Sequence, residues 1–265
     1  MPEPGGSDGR WVVVLDRALA RRYTAAVATV TGRIEASLGP EVVANRAAAA
    51  DPTLPQLALE PWVPARRRFA ARARLLAKRS GALVTTDVRA CYASIRSDVV
   101  ERTLASLQCT TGSIRAVRQV LLTLHAEGVA GLPIGPEPSA VLANAVLAAA
   151  DRALARAGAA HLRWVDDFWI FASDGHAAGV ALESLRHCLG RLGLELAPEK
   201  TRLLEGSEVP VACAGSPPLS GPGPRYHRPS DAHPVPGVPG PNAVPPPDGG
   251  VGPRRRSARR TGGVR

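Results

Sequence analysis

The sequence predicts an α+β fold, a small antiparallel sheet packed on helices, with a helical N-terminal part and a disordered tail. Three observations carry this. Along residues 81–206 the segments run strand, helices, helix, hairpin, helix, strand, so a few strands are distributed among several helices. Within them, Arg163-Trp164-Val165-Asp166-Asp167-Phe168-Trp169-Ile170-Phe171 sets two adjacent carboxylates between short apolar runs of β-formers, the pattern of a hairpin with acids at its turn. Beyond Gly206, Pro and Gly recur every two or three residues and the end is Arg-rich. Such a segment buries too little apolar area to offset its ordering entropy.

The elements follow in order. Residues 1–10 are Pro/Gly-rich and expected to fray. Residues 11–38 are Ala/Arg-rich and read as a helix with an ambiguous apolar start at residues 11–15. Five prolines in 39–64 exclude one long helix, leaving room for a short one at residues 41–50. Residues 66–79 form a basic helix, read equally as a solvated face or as a phosphate-contacting surface. Residues 81–88 form a buried strand ending in Asp87. A helix with Ser97 as N-cap runs to about Leu107, and a second spans residues 113–126. A rigid Gly/Pro loop at 131–138 leads into a helix over 139–156. After the hairpin, Ser173 or Asp174 caps a helix reaching Leu192, and short strands are expected at 193–197 and 201–204.

The chain divides accordingly into a helical, Pro-interrupted region at 1–80, a catalytic-looking core at 81–206 and a tail at 207–265. A net charge of +10 favours polyanionic partners, but eight arginines against three acids after residue 206 account for half of it. Four cysteines, at 91, 109, 188 and 213, show no metal-ligand spacing with the six histidines and read as reduced thiols. No apolar run approaches a membrane span, so the expected setting is soluble, reducing and cytoplasmic.

The residues that invite chemistry are Asp87, Asp166 and Asp167. Adjacent carboxylates repel, and a fold gains nothing by setting them against a hydrophobic sheet unless something positive sits there. If Asp87 shares that sheet, three carboxylates converge on one edge. Divalent ions held by oxygen ligands would then activate a hydroxyl and stabilise a leaving phosphate oxygen.

These residues lie in segments that resemble known motifs. Asp87-Val88-Arg89-Ala90-Cys91-Tyr92 resembles the first palm motif of reverse transcriptases, an acid followed five residues later by an aromatic. Gly131-Leu132-Pro133-Ile134-Gly135-Pro136-Glu137-Pro138-Ser139, running into Leu142-Ala143-Asn144, resembles the second. Trp164-Val165-Asp166-Asp167 resembles the Asp-Asp hairpin, and Leu192 to Lys200-Thr201 the motif after it. The resemblance covers residues 81–206 and implies a polymerase palm, RNA-directed DNA synthesis and Mg²⁺ or Mn²⁺. It further implies that Asp87 and Asp166 bridge the metals, with Asp167 nearer the primer end. The carbonyl of Val88 would complete a metal shell, and amides from Val88 to Tyr92 would cradle the triphosphate. Tyr92 falls at the steric gate that excludes a 2′-hydroxyl, Gly135 allows close approach of template and nucleotide, Ser139 lines the pocket and Lys200 faces the leaving group. The implied partners are dNTPs with an RNA template and DNA primer, or an untemplated primer.

Departures from the pattern refine these expectations. Ile134 stands where most such enzymes carry Gln, and Pro-Ile-Gly-Pro is more similar to bacterial abortive-infection and defence-associated relatives, some of which polymerise without a template. Trp164 replaces the familiar Tyr or Phe. No fingers motif precedes Asp87 and no primer-grip hairpin or thumb follows Gly206, so the chain looks truncated and is expected to need a protein partner or a missing thumb to hold a duplex. The Pro/Arg-rich end reads either as a natural arm or as out-of-frame translation. Two rival functions remain: a degenerate palm that only binds nucleic acid or a partner, and a helical protein whose tail binds polyanions.

Overall fold

The structure, a computed structural model, describes residues 12–48 and 57–214. The fraying expected for residues 1–10 and the tail from residue 215 onward lie outside the described residues. Eight helices and four strands are described, in the order α1 Arg17–Ser37, α2 Trp62–Ala77, β1 Ala82–Asp87, α3 Cys91–Ser94, α4 Ser97–Ser106, α5 Thr111–Ala126, α6 Glu137–Arg156, β2 Ala160–Trp164, β3 Asp167–Ala172, α7 Gly175–Arg191, β4 Arg202–Glu205 and α8 Glu208–Ala214. The fold is α+β, as predicted.

The sheet is antiparallel throughout, with spatial order β2-β3-β1-β4. Period-two alternation divides its side chains between two cores. Ala82, Val84, Phe168 and Ile170 join the larger core with α1, α4, α5, α6 and α7. Leu83, Leu162, Trp164, Trp169 and Phe171 face α2 and α8. On α2 the buried residues are Ala65, Phe69, Ala73 and Ala77, an unbroken i, i+4 stripe that leaves its arginines on the other faces. Phe69 meets Trp164 and Trp169 edge to face, with centroids 5.9 and 5.4 Å apart, and Trp62 meets Trp164 at 5.8 Å. The tryptophan that departs from the family pattern at position 164 is thereby accommodated on the face away from the helical core.

Helix α6 is buried on nearly every side and packs against α1, α4, α7 and β2. Its near-continuous Ala/Leu/Val composition is what a helix enclosed by neighbours requires. Helix α1 packs on both α5 and α6, so residues before position 80 contribute directly to the main core.

Several local expectations need correction. Residues 41–48 are not helical: Val42 bridges Arg163 in parallel, the Val43 amide donates to the Arg163 carbonyl (3.1 Å) and the Arg163 amide to the Glu41 carbonyl (2.9 Å). Pairing of a β-branched dipeptide with the open edge of β2 outweighs weak helix propensity there. Ser97 is not a cap but the first helical residue; the cap position is Arg96, which makes no capping bond and reaches Asp98 instead. Helix α5 begins at Thr111, capped by Thr110 on the Ser113 amide. Of the two caps expected for α7, Asp174 is the one used, accepting from the Ala177 amide at 2.9 Å. Residues 193–197 contribute one isolated bridge, Val88 to Leu196, rather than a strand. Residues 208–214, expected to belong to the tail, form α8, whose Val209 and Cys213 bury themselves against α2.

Candidate active site

Antiparallel pairing of β1 with β3 runs from Ala82↔Ala172 to Asp87↔Asp167, so the last residue of one strand stands opposite the first of the other. The β2–β3 hairpin closes through Val165 and Asp166 alone, with Trp164 opposite Asp167. Asp166 therefore follows immediately on the register pair, and its carbonyl accepts from the Val88 amide at 3.2 Å. Asp87, Asp166 and Asp167 are all buried, and each offers a carboxylate oxygen within 4.8 Å of the others. Three acidic oxygens gathered in a space of that size suit a hard divalent cation, so the donor set fits Mg²⁺ or Mn²⁺.

The segment after α7 closes the site from the other side. The Ala197 amide donates to the Asp87 carbonyl (2.8 Å) and the Arg89 amide to the Glu195 carbonyl (2.8 Å). Thr86 and Thr201 share a hydroxyl hydrogen bond of 2.7 Å. These ties fix a short 3-10 turn, Pro198–Lys200, from which the Lys200 ammonium reaches Asp87 Oδ1 at 3.2 Å. Lys200 is thus brought to the carboxylates, half-exposed. The amides of Val88 and Arg89 are spent on Asp166 and Glu195, which removes two of the five expected for a triphosphate cradle.

Tyr92 lies on α3, half-buried against the main core. The second-motif loop is seated on it: the Leu132 amide donates to the Tyr92 carbonyl at 2.8 Å. Gly131, at φ +62°, approaches so closely that a Cβ would collide with the Tyr92 and Ala93 carbonyls. Gly135 has φ +117°, and a Cβ there would meet Val12 Cγ1. The Val13 amide also donates to the Ile134 carbonyl (2.8 Å), so the chain's own residues 12–13 lie along this part of the loop.

Ser139 departs from expectation. Helix α6 starts at Glu137 after Pro136, which puts Ser139 inside the first turn, fully buried and sharing a 3.1 Å hydrogen bond with the Tyr23 hydroxyl of α1. It neither caps the helix nor presents a surface. Burial pushes the Tyr23 hydroxyl well above its ordinary pKa, so it stays protonated and able to donate.

The two readings of the basic helix also sharpen. Arg66 stacks on Trp62 at 4.7 Å, Arg68 pairs with Glu60, Arg72 donates to the Pro40 carbonyl and Arg74 to the Ala214 carbonyl at 3.3 Å. Four of its arginines therefore serve the fold. A cavity of about 750 Å³ between α1, α2 and residues 38–48 is lined by none of the site residues, and its Arg46 is paired with Glu35 at 2.7 Å.

One polar group escaped the sequence reading. Arg163, fully enclosed in β2, binds both carboxylate oxygens of Asp151, the side-chain oxygen of Asn144 and the Val165 carbonyl. Its one signal was a charge interrupting an apolar strand. Asn144 and Asp151, two turns apart on the apolar α6, were its matching half.

A small antiparallel sheet gathers three buried carboxylates at the end of a two-residue hairpin, in a palm-like arrangement. The family model described as reverse transcriptase (RNA-dependent DNA polymerase) matches residues 41–225, and the chain belongs to this family. No curated protein matches it. Solved structures that match include apo telomerase from Candida tropicalis truncated from its C-terminal domain, at 15% identity and a TM-score of 0.47, over 72% of this chain and 42% of that one. The chain spans less than half the length of that structure.

Proposed function

We propose that this chain is the palm-bearing part of a polymerase that adds deoxynucleotides to a primer 3′-hydroxyl. The observation that carries the reading is the convergence of Asp87, Asp166 and Asp167, all buried, within 4.8 Å. Residues 81–206 form the palm in this reading, and the helical residues before them support it. Asp87, Asp166 and Asp167 hold the divalent ions, with the Val88 carbonyl as a further ligand. Bound there, Mg²⁺ or Mn²⁺ supplies Lewis-acid activation of the hydroxyl and neutralises charge on the phosphate. Tyr92 sits beneath the incoming sugar and rejects a 2′-hydroxyl. Gly135 leaves the loop low enough for the nucleotide or template. Ser139 acts at one remove, by fixing the start of α6 through Tyr23. Lys200 moves from Asp87 toward the leaving phosphate as a cation or proton donor.

The partners are dNTPs with a primer, on an RNA template or without one. Pro-Ile-Gly-Pro at 133–136 supports a place among the defence-associated members of the family, and phage challenge of cells carrying the intact or Asp-substituted chain tests that role. One observation favours a second reading, a palm that binds without turnover: residues 12–13 lie along the loop at Ile134 and Gly135. Incorporation of labelled dNTP by the purified chain, with and without RNA template, separates the two. The expected result is metal-dependent incorporation that disappears in Asp166→Ala/Asp167→Ala. Unchanged incorporation in that variant would refute the catalytic assignment, and binding without incorporation would select the second reading.

A further inference from the structure

Arg163 is 0% exposed, and its guanidinium donates to four acceptor oxygens on three groups. Nε lies 2.9 and 3.1 Å from the two Asp151 oxygens, and Nη2 lies 2.7 Å from Asp151 Oδ2. Nη1 donates to Asn144 Oδ1 and to the Val165 carbonyl, both at 2.8 Å. The clamp is itself held: Asn144 Nδ2 donates to the carbonyls of Ala44 (3.2 Å) and Asn45 (2.9 Å), and His161 Nε2 lies 3.3 Å from Asp151 Oδ1.

A buried ion pair is a poor source of stability, since apolar residues of similar volume commonly do as well or better. What apolar residues cannot do is donate to the Val165 carbonyl. Val165 is the residue between β2 and Asp166, and its φ of +57° is one that a β-branched side chain disfavours. Its peptide is therefore held by something other than its own preference, and Arg163 Nη1 is the group that holds it.

We infer that Arg163 is a positioning residue for the carboxylate triad, with Asp151 and Asn144 of α6 as its clamp. By fixing the Val165 carbonyl it fixes the turn, and with the turn the directions of Asp166 and Asp167 toward Asp87. This rests on reading the triad as the metal-holding group. Groups hydrogen-bonded to metal ligands commonly change metal affinity ten- to hundredfold when removed, and Arg163 acts one residue further off, through the Val165 peptide.

The test uses Mn²⁺ binding, followed by the electron paramagnetic resonance of free Mn²⁺, beside thermal melting and dNTP incorporation. Four proteins are compared: the unsubstituted chain, Asp166→Ala/Asp167→Ala, Asp151→Leu/Arg163→Met and Arg163→Lys. The apolar pair is expected to melt cooperatively near the unsubstituted temperature, to bind Mn²⁺ about ten- to hundredfold more weakly and to lose kcat with little change in KM for dNTP. A merely structural role for Arg163 would move the melt and leave Mn²⁺ affinity alone. Equal Mn²⁺ affinity and turnover in the folded apolar pair would overturn the inference while leaving the triad's role intact. Should the apolar pair not fold, Arg163→Lys decides: it keeps a charge for Asp151 but lacks the fork that also spans to Val165. Weakened binding in it supports the inference, and unsubstituted affinity overturns it. Failure of the unsubstituted chain to bind Mn²⁺ would remove the reading of the triad and this inference together.

Discussion

Lys200 and Asp87 stand 3.2 Å apart, and their contact places a half-exposed positive charge against one of three gathered carboxylates. Replacing Lys200 with Ala removes that charge and leaves like charges facing one another. The melting temperature in EDTA should therefore fall, and Mg²⁺ should raise it by more than it raises the unsubstituted chain's; nucleotide addition should slow. Melting curves with and without Mg²⁺, next to incorporation rates, check both halves. A second residue-scale prediction concerns Gly131, whose φ of +62° and closeness to the Tyr92 and Ala93 carbonyls leave no room for a methyl group. Gly131→Ala should cost about 1–3 kcal/mol in chemical denaturation. It should also displace Tyr92, read as weaker discrimination between dNTP and rNTP. Both residues were legible in the sequence, Lys200 as a motif lysine and Gly131 as a loop glycine. What the sequence could not convey was their contacts, which join segments 113 and 39 residues apart.

Among elements, the β2–β3 hairpin concentrates the interest. Its turn has two residues, Val165 and Asp166, and the first holds a conformation that Gly adopts readily. Val165→Gly should relieve strain of about 1–3 kcal/mol, partly offset by about 0.5–1 kcal/mol of extra chain entropy in the unfolded state. Because the Val165 side chain also packs against the smaller core, the expected result is a melting temperature little changed together with weaker Mn²⁺ binding, since a freer peptide aims Asp166 less firmly. The hairpin and its acids were readable from alternating β-formers around an acid pair. The edge that pairs with it was not. Residues 41–48 look like a short helix by composition, and only the free edge of β2, formed by residues more than a hundred positions later, draws Val42 and Val43 into extended pairing. The same holds for Arg163, Asp151 and Asn144: each is visible as a polar residue in an apolar segment, but a strand and a helix must dock before they become one network.

For the molecule as a whole, a sheet covered on both faces means that the site's geometry depends on two cores at once. Phe69 links the smaller core to Trp164, one residue before the turn, so Phe69→Ala should cost about 3–5 kcal/mol and reduce activity through the hairpin. Acid should act through Asp151. Burial alone would raise its pKa, but the Arg163 charge and the hydrogen bonds from His161 and Arg163 outweigh burial and hold it below the ordinary carboxylate range. A carboxylate depressed in the folded state stabilises above its unfolded pKa, about 3.9, and that contribution is lost as pH falls through the folded value. Melting temperature should be nearly level above about pH 5 and fall below about pH 4, and the fall should shrink in Asp151→Leu/Arg163→Met. Among the described residues no helix is long and apolar enough to cross a membrane.

The register that sets Asp87 opposite Asp167 also determines which genetic changes the site can survive. Side chains in a strand alternate faces, so inserting or deleting one residue within residues 82–87 or 167–172 would turn an acid to the opposite face and exchange the two cores' contributions. Substitutions along these strands can be graded in their effects, whereas single-codon insertions and deletions there should be uniformly inactivating. The α6–β2 connection around Gly158, which borders no site residue, should accept them.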